Sequence, residues 1–177
     1  MEESISNKID LHKININSNP PTEEPSRQYY FMAKCRGWVK DFEEKNGRTP
    51  TACVTTFGCQ MNKHDSERIE GMLEALGARP VGTAAEADIV VFMTCCVREA
   101  ADVRLYGQVS TLKGEPLRAD SPLGRRIVAI GGCIGQRDGR KLAEALPNVN
   151  VVFGTHNLRS LPALLREALD RQEPAVE

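Results

Sequence analysis

The sequence has no long hydrophobic run and no surplus of charge of either sign. Its 177 residues include 23 basic and 24 acidic side chains, for a formal net charge of −1. Such a near-neutral chain is not typical of a strongly basic nucleic-acid-binding protein. A membrane span requires about 20 consecutive apolar residues, and no segment of the sequence approaches that length. Residues 1–10 lack the basic and apolar regions of a signal peptide. We therefore predict a cytoplasmic protein with no membrane partner.

Glycine-rich phosphate loops and disulfide frameworks are also missing. No G-x-G-x-x-G run follows the first predicted strand, which weakens the hypothesis that the chain binds a nucleotide or a flavin. The six cysteines are poor disulfide candidates in a reducing cytosol and better candidates for metal binding or redox chemistry. The cysteines are therefore the residues from which a function can be inferred.

Short apolar runs alternate with amphipathic helical patterns from residue 50 onward. Strands that are apolar on both faces and separated by helices indicate a parallel sheet covered on both sides. We predict an α/β domain, a flavodoxin-like doubly wound parallel sheet with helices on both faces, over residues 50–170. The predicted strands are Thr51–Phe57, Asp88–Met93, Arg126–Gly131 and Val149–Phe153, with an edge strand near Arg79–Gly82, and the predicted helices are Lys63–Leu76, Val97–Lys113, Arg137–Leu146 and Leu158–Leu169.

The two ends of the chain differ from this pattern. Residues 1–28 are polar and contain three prolines, so we predict a disordered N-terminal tail. Residues 29–49 carry an apolar stripe at helical spacing, which predicts a helical extension packed on the main domain. Residues 171–177 are interpreted as a tail or the start of a linker.

Three cysteines, Cys59, Cys95 and Cys133, each follow a predicted strand and open a predicted helix. In a parallel sheet the carboxyl ends of the strands share one edge, where such folds bind ligands. A thiol at a helix N-terminus loses its proton more readily, and the thiolate is the form that binds metal. Glycines beside Cys59 and Cys133 allow the backbone to approach a bulky inorganic group. The pattern predicts a metal site built from three thiolates.

Several interpretations of this site remain open. Soft sulfur ligands favour an iron–sulfur cluster or zinc, and structural zinc would need a fourth ligand such as Cys96 or His64. We prefer a [4Fe–4S] cluster held by three cysteines, with one iron open to another ligand. The competing interpretation is that the three cysteines are only small residues at tight turns, since cysteine is commonly buried.

The remaining cysteines and histidines are predicted to be structural. Cys35 lies on the apolar stripe of a helix and Cys53 lies in a strand, which indicates core positions. Cys96 is predicted to be a structural residue whose side chain diverges from that of Cys95, and a spare or redox-active thiol is the less favoured alternative. His64 is expected on the surface of a first helical turn and His156 in a loop, and neither is expected to bind metal.

One region is locally basic. Basic side chains outnumber acidic ones between Lys113 and Lys141. This pattern is typical of a solvated loop and helix face, and a surface that contacts RNA is the alternative.

The cysteine motifs together resemble the N-terminal domain of the tRNA methylthiotransferases, in their MiaB-like branch. The resemblance extends from about Tyr29 to Leu169. The stretches that carry it are Thr56-Phe-Gly-Cys-Gln-Met-Asn62 with Asp65-Ser-Glu67, Thr94-Cys95 with Val97-Arg-Glu99, Gly132-Cys133 with Gln136, and Gly154-Thr-His-Asn157.

This resemblance implies that Cys59, Cys95 and Cys133 hold an auxiliary [4Fe–4S] cluster whose open iron carries the sulfur to be transferred. It implies a transferase that methylthiolates C2 of N6-isopentenyladenosine at position 37 of tRNA. In that family a radical S-adenosylmethionine domain, with a second [4Fe–4S] cluster, activates the C–H bond. The full-length protein would bind tRNA, with the radical domain acting in cis, and we expect a monomer. No residue of this segment is implied to be catalytic.

The chain departs from the family pattern at three positions. Met93 stands where Asn commonly precedes Thr-Cys, Cys96 where Ser or Ala is usual, and Gly135 where Ala is usual. The radical-domain signature C-x₃-C-x₂-C is absent from the sequence, and so is the family's C-terminal RNA-binding domain. We therefore interpret the chain as an N-terminal fragment that cannot complete the reaction alone. The alternative is a stand-alone iron–sulfur binding or sulfur-carrier module without catalytic activity.

Overall fold

The structure, a computed structural model, describes residues 9–58, 60–95, 99–115, 125–171 and 173–177, without the side chains of Met61 and Glu99. Cys59 and Cys96 lie outside the described residues, as do residues 116–124 of the predicted loop.

Six strands form one sheet in which every neighbouring pair is parallel. The spatial order is β2-β1-β3-β4-β5-β6. Strands β3 and β4 are buried along their whole length because helices cover them on both sides. The strands are β1 (Thr51–Thr56), β2 (Arg79–Pro80), β3 (Ile89–Thr94), β4 (Ile127–Gly132), β5 (Val151–Phe153) and β6 (Ala175–Val176).

Six α-helices are found among the described residues, and they divide between the two faces of the sheet. They are α1 (Ser26–Asn46), α2 (Gln60–Ala75), α3 (Glu99–Gly114), α4 (Cys133–Asp138), α5 (Arg140–Ala145) and α6 (Leu161–Asp170). Residues of α1, α2 and α6 share one apolar cluster with one face of the strands, and residues of α3, α4 and α5 share a second cluster with the other face. The predicted doubly wound α/β fold is therefore confirmed. None of the described helices is long and apolar enough to cross a membrane.

Alternate residues of β3 supply the two apolar layers. Val91 and Met93 belong to the cluster beneath α1, α2 and α6, whereas Val90 and Phe92 belong to the cluster beneath α3, α4 and α5. This is the side-chain alternation that any strand imposes. The next residue, Thr94, therefore points toward the α3–α5 side, at the carboxyl end of the strand.

The prediction of one helix over Arg137–Leu146 is wrong. The chain instead turns directly from β4 into α4, which ends at Asp138, and α5 begins at Arg140 after the single residue Gly139. Gly139 has φ of +48°, a conformation that costs glycine little and interrupts a right-handed helix. The first helix after β4 therefore begins at Cys133 and not at Arg137.

The chain segments outside residues 50–170 pack on the domain at both of its ends. Helix α1 packs on α6, where the Cys35 thiol donates a hydrogen bond to the carbonyl of Pro162. In the segment before α1, the carbonyls of Ile16 and Ser18 accept hydrogen bonds from the Tyr30 hydroxyl. Strand β6 pairs with β5, a pairing that the sequence pattern does not predict. The division into tail, extension, main domain and linker stays a prediction.

Candidate metal centre

The carboxyl ends of β1, β3 and β4 lie side by side at one edge of the sheet. Thr56 of β1 is paired with Met93 of β3, and Thr94 of β3 is paired with Gly132 of β4. The chain winds outward from β1 to β2 on one side and from β3 to β4 on the other. The point between β1 and β3 is therefore a topological switch point, the usual ligand site of an open parallel sheet.

Two of the three predicted ligands lie at this edge. Cys95 directly follows β3 and is 3% exposed, and Cys133 directly follows β4 and is half-buried. Because Thr94 and Gly132 are paired, the two cysteines continue from neighbouring positions of adjacent strands. The structure thus brings these two turns together, as the sequence predicts.

The third predicted ligand, Cys59, lies outside the described residues, between Gly58 and the first residue of α2. Within the described part of the chain no group of three His, Cys, Asp or Glu side chains is arranged to hold a metal ion. Cys59 was not part of that set, so the three-cysteine site remains a prediction.

Gly58 places the backbone beside Cys59 against Cys95. A methyl group at position 58 would overlap the Cβ atom of Cys95 and would lie 3.4 Å from its sulfur atom. The residue also has φ of +124°, which is accessible to glycine and strained for other residues. The turn after β1 can therefore approach the turn after β3 only because position 58 has no side chain.

These observations fit an iron–sulfur group. The donor atoms are soft sulfurs, Cys95 is shielded from water, and glycine backbone lines the adjacent turn. Shielding and backbone amide groups are the features by which proteins tune such clusters. A site made of thiolates is unsuitable for cations that prefer oxygen ligands, such as Mg²⁺.

A polar network fastens the turn after β1 to helix α2. The Asn62 side-chain amide donates to the carbonyl of Phe57 at 3.2 Å. The Ser66 hydroxyl donates to the Asn62 carbonyl at 2.7 Å and lies 2.7 Å from the Thr56 hydroxyl. Asn62 and Ser66 are both buried. Asn62 thus lies inside α2, and its side chain holds the preceding turn against the helix.

A second buried contact joins the turns after β3 and β4. The Thr94 hydroxyl donates to the carbonyl of Gly131 at 2.8 Å and accepts a hydrogen bond from the Ile134 amide at 3.2 Å. Sequence reasoning did not identify Thr94 or Ser66 as site residues. The available signal was a hydroxyl residue in or near the motifs of Cys59 and Cys95.

An ion pair on the surface connects the helices that follow these turns. Arg137 of α4 contacts Asp102 of α3 at 2.8 Å and Asp138 at 2.7 Å. The hydrogen bonds that Arg137 donates to Asp138 and Asp102 raise the pKa of Arg137, and the bond to Asp138 lowers the pKa of that carboxyl group. Both partners in the α3–α4 pair are partly exposed, so the pair contributes at most about 1 kcal/mol.

The locally basic region between Lys113 and Lys141 is partly occupied by intramolecular contacts. The buried Arg126 guanidinium donates to the carbonyls of Ala87, Leu112 and Ala85. Arg137 is ion-paired as described above, whereas Arg140 and Lys141 are exposed. Arg126 is therefore a structural residue and not part of a solvent-facing basic surface.

The remaining predicted structural residues occupy the expected environments. Cys35 and Cys53 are buried, and desolvation raises the pKa of both thiols, that of Cys35 to about 12. His64 lies on the surface of α2, with Nδ1 3.8 Å from a Glu67 oxygen, and His156 is exposed. None of these four contributes to the edge that carries Cys95 and Cys133.

Two departures from the family pattern can be placed. Met93 is 1% exposed and packs in the apolar cluster beneath α2, so its side chain lies on the face opposite to that of Thr94. At Gly135, a methyl group would overlap the carbonyl oxygen of Phe153, so the close packing of α4 on β5 depends on glycine. Cys96 lies outside the described residues.

Comparison with known proteins gives consistent results. The family model described as "Uncharacterized protein family UPF0004" matches residues 51–154. The relatives found include proteins named tRNA-2-methylthio-N(6)-dimethylallyladenosine synthase. The one from Mycobacterium ulcerans is 48% identical over 141 residues, which cover 80% of this chain and 25% of the relative. Those from Saccharopolyspora erythraea and Frankia casuarinae are 51% identical over 124 and 132 residues, which cover 70% and 75% of this chain.

The chain spans about a quarter of the length of these curated relatives. The family model extends over more than half of the chain and includes the positions of Cys59, Cys95 and Cys133. The chain therefore belongs to the UPF0004 family, the N-terminal domain of MiaB-like tRNA methylthiotransferases.

Proposed function

We propose that Cys59, Cys95 and Cys133 hold the auxiliary [4Fe–4S] cluster of a tRNA methylthiotransferase. The enzyme would convert N6-isopentenyladenosine at position 37 of tRNA to its 2-methylthio derivative. The observation that carries this proposal is the position of Cys95 and Cys133 at the adjacent carboxyl ends of β3 and β4, beside the switch point between β1 and β3. Gly58 supports it further, since it brings the backbone next to Cys59 against Cys95.

Cys95 and Cys133 differ in burial, so they would hold different sides of the cluster. Cys95 is buried and would anchor the protein side of the cluster, away from water. Cys133 is half-buried and would lie nearer the solvent-facing side. Three protein ligands leave one of four irons without a cysteine, and when bound the cluster would supply that iron as an open coordination site for the sulfur to be transferred.

The radical part of the reaction requires residues that this sequence does not contain. S-adenosylmethionine would be cleaved at a second cluster held by C-x₃-C-x₂-C, and that spacing is absent here. We therefore assign methylthiotransferase activity to a longer cytoplasmic protein, monomeric and acting on tRNA, in which a radical domain follows in cis. The 177-residue chain alone would bind the auxiliary cluster but would not catalyse the reaction.

Anaerobic reconstitution with iron and sulfide tests the cluster assignment. We expect about four irons per chain and a thiolate-to-iron absorption band in the wild type. Cys59→Ala, Cys95→Ala and Cys133→Ala should each lose most of the iron and the band. Cys35→Ala and Cys53→Ala are matched controls, because both side chains are buried away from this edge, and they should retain the iron.

Two results would refute the proposal. A folded wild-type chain that takes up no iron would exclude a cluster on this domain. Equal iron loss in all five variants would show that the effect follows from destabilisation and not from ligation. A circular dichroism melt of each apo variant separates these cases, since a ligand variant that remains folded loses iron without losing structure.

A further inference from the structure

We propose that Thr94 is a positioning residue that holds the Cys133 turn in place relative to the Cys95 turn. It is not a ligand in this scheme. Its importance for the cluster rests on the proposed function, but its effect on the protein itself can be measured without iron.

The hydroxyl of Thr94 uses both its donor and its acceptor capacity across the strand boundary. It donates to the carbonyl of Gly131 at 2.8 Å and accepts from the amide of Ile134 at 3.2 Å. These two groups lie on either side of Cys133 in the chain, and Thr94 itself precedes Cys95. One side chain therefore connects the backbone flanking one predicted ligand to the backbone adjoining the other.

Burial makes this connection rigid. Thr94 is 0% exposed, so water cannot replace either hydrogen bond. A methyl group on Gly132 would meet the Thr94 carbonyl oxygen, and Gly132 has φ of +96°. The turn into α4 therefore wraps closely around Thr94, and its geometry depends on both the glycine and the hydroxyl.

Chemical variants at position 94 separate the hydroxyl from the volume of the side chain. Thr94→Ser keeps the hydroxyl, whereas Thr94→Val keeps the branched shape and removes both hydrogen bonds. Thr51→Val is a matched control. The Thr51 hydroxyl is also buried and lies within hydrogen-bonding distance of the Glu86 carbonyl and the Asp88 carboxylate, at the opposite edge of the sheet.

The first measurement is amide hydrogen exchange at Ile134 in the iron-free chain, by NMR. Thr94→Val should speed exchange of that amide by up to about tenfold, since a hydrogen bond of this kind contributes about 1.4 kcal/mol or less, and 1.4 kcal/mol corresponds to a factor of ten. Thr94→Ser should remain within about twofold of wild type, and Thr51→Val should not change the Ile134 rate beyond its effect on the whole domain.

The second measurement is the rate at which EDTA removes iron from the reconstituted chain, followed by loss of absorption. We expect Thr94→Val to release iron about tenfold faster than wild type and Thr94→Ser to restore the wild-type rate. We also expect the reduced cluster of Thr94→Val to have an altered electron paramagnetic resonance spectrum, with the Thr51→Val spectrum unchanged.

The outcomes distinguish the two proposals. Equal Ile134 exchange in wild type and Thr94→Val overturns the positioning role, whether or not iron binds. Equal acceleration of iron release by Thr94→Val and Thr51→Val also overturns it, because the effect would then be general destabilisation. If the wild type binds no iron, the proposed function fails, and Ile134 exchange alone decides the role of Thr94.

Discussion

Gly58 packs directly against the side chain of Cys95, so that a single methyl group at position 58 would occupy the same space as the Cys95 Cβ atom. The two residues follow different strands, β1 and β3, which flank the switch point of the sheet. This contact sets how closely the turn that leads to Cys59 can approach Cys95. It makes position 58 sensitive to substitution, although glycine has no group that binds metal.

We predict that Gly58→Ala destabilises the domain by about 2 kcal/mol or more, because overlap and a strained φ act together. It should also reduce the iron bound after reconstitution. Gly71→Ala is the control, since Gly71 lies exposed in α2 with open space where a Cβ atom would be placed. That change should stabilise the domain by about 0.5–1 kcal/mol. Urea denaturation of both variants checks the pair, and an unchanged Gly58→Ala midpoint would contradict the contact.

Asn62 should matter for the turn before Cys59 in a similar way. The Asn62 amide donates to the carbonyl of Phe57 in a buried hydrogen bond. Removal of the amide would leave that carbonyl without this donor. We predict that Asn62→Leu costs about 1–3 kcal/mol and lowers iron retention. Asn46→Leu is a suitable comparison because its amide also donates to a carbonyl, that of Phe42, at the end of α1 far from the site. Iron retention reduced equally by both changes would argue against a local role for Asn62.

The fold could be predicted because its signals are local and repeated. The apolar runs of β3 and β4 and the alternation with helical patterns leave few alternatives to a parallel sheet. The position of Cys95 and Cys133 at one edge follows from that order alone. By contrast, β6 is two residues long and contains too few positions for any periodic pattern.

The supporting contacts could not be predicted from the sequence. Thr94 and Ile134 are 40 residues apart, and their hydrogen bond depends on the register between β3 and β4. The role of Asn62 depends on α2 beginning at Gln60, three residues before the predicted start, so that its side chain faces the preceding turn. Such contacts follow from tertiary geometry and leave no spacing signal in the chain.

The ion pair between Arg48 and Asp88 gives the domain a predictable sensitivity to acid. Arg48 contacts both Asp88 oxygens, at 2.7 and 2.9 Å, and the Asp88 side chain is 3% exposed. Burial acts to raise the pKa of Asp88, but hydrogen bonds from Arg48 and Thr51 outweigh it and hold the pKa below its ordinary value of 3.8. The stabilisation from Asp88 is therefore present above that value and is lost as the pH falls through the lower folded-state pKa.

We predict that Asp88→Asn lowers the free energy of unfolding by about 3 kcal/mol at pH 7, because it leaves the partly buried Arg48 without its carboxylate. The difference from wild type should shrink below about pH 3.8, where Asp88 begins to be protonated in the unfolded chain. Arg48→Met should raise the pKa of Asp88, measurable by NMR of its carboxyl carbon. A stability difference that is constant between pH 7 and pH 3 would contradict this account. Iron binding should be unaffected, since the pair lies at the opposite edge of the sheet.

Arg126 provides a test of how the locally basic region is used. Its guanidinium donates to three backbone carbonyls, and burial lowers the pKa of the group. We predict that Arg126→Met destabilises the domain by about 3 kcal/mol, since the three carbonyls would lose this buried donor. Arg140→Met, at an exposed position of α5, should change stability by less than about 0.5 kcal/mol.

The same two variants distinguish a structural arginine from one that contacts RNA. If the basic region binds tRNA, Arg140→Met should weaken binding of the folded domain and reduce its salt dependence, because a phosphate contact releases counterions. Arg126→Met should leave the affinity of the remaining folded protein unchanged, since its guanidinium is committed to the backbone. Filter binding at two salt concentrations, combined with urea denaturation, measures both quantities. Loss of tRNA affinity in folded Arg126→Met with no loss of stability would contradict the structural role of Arg126.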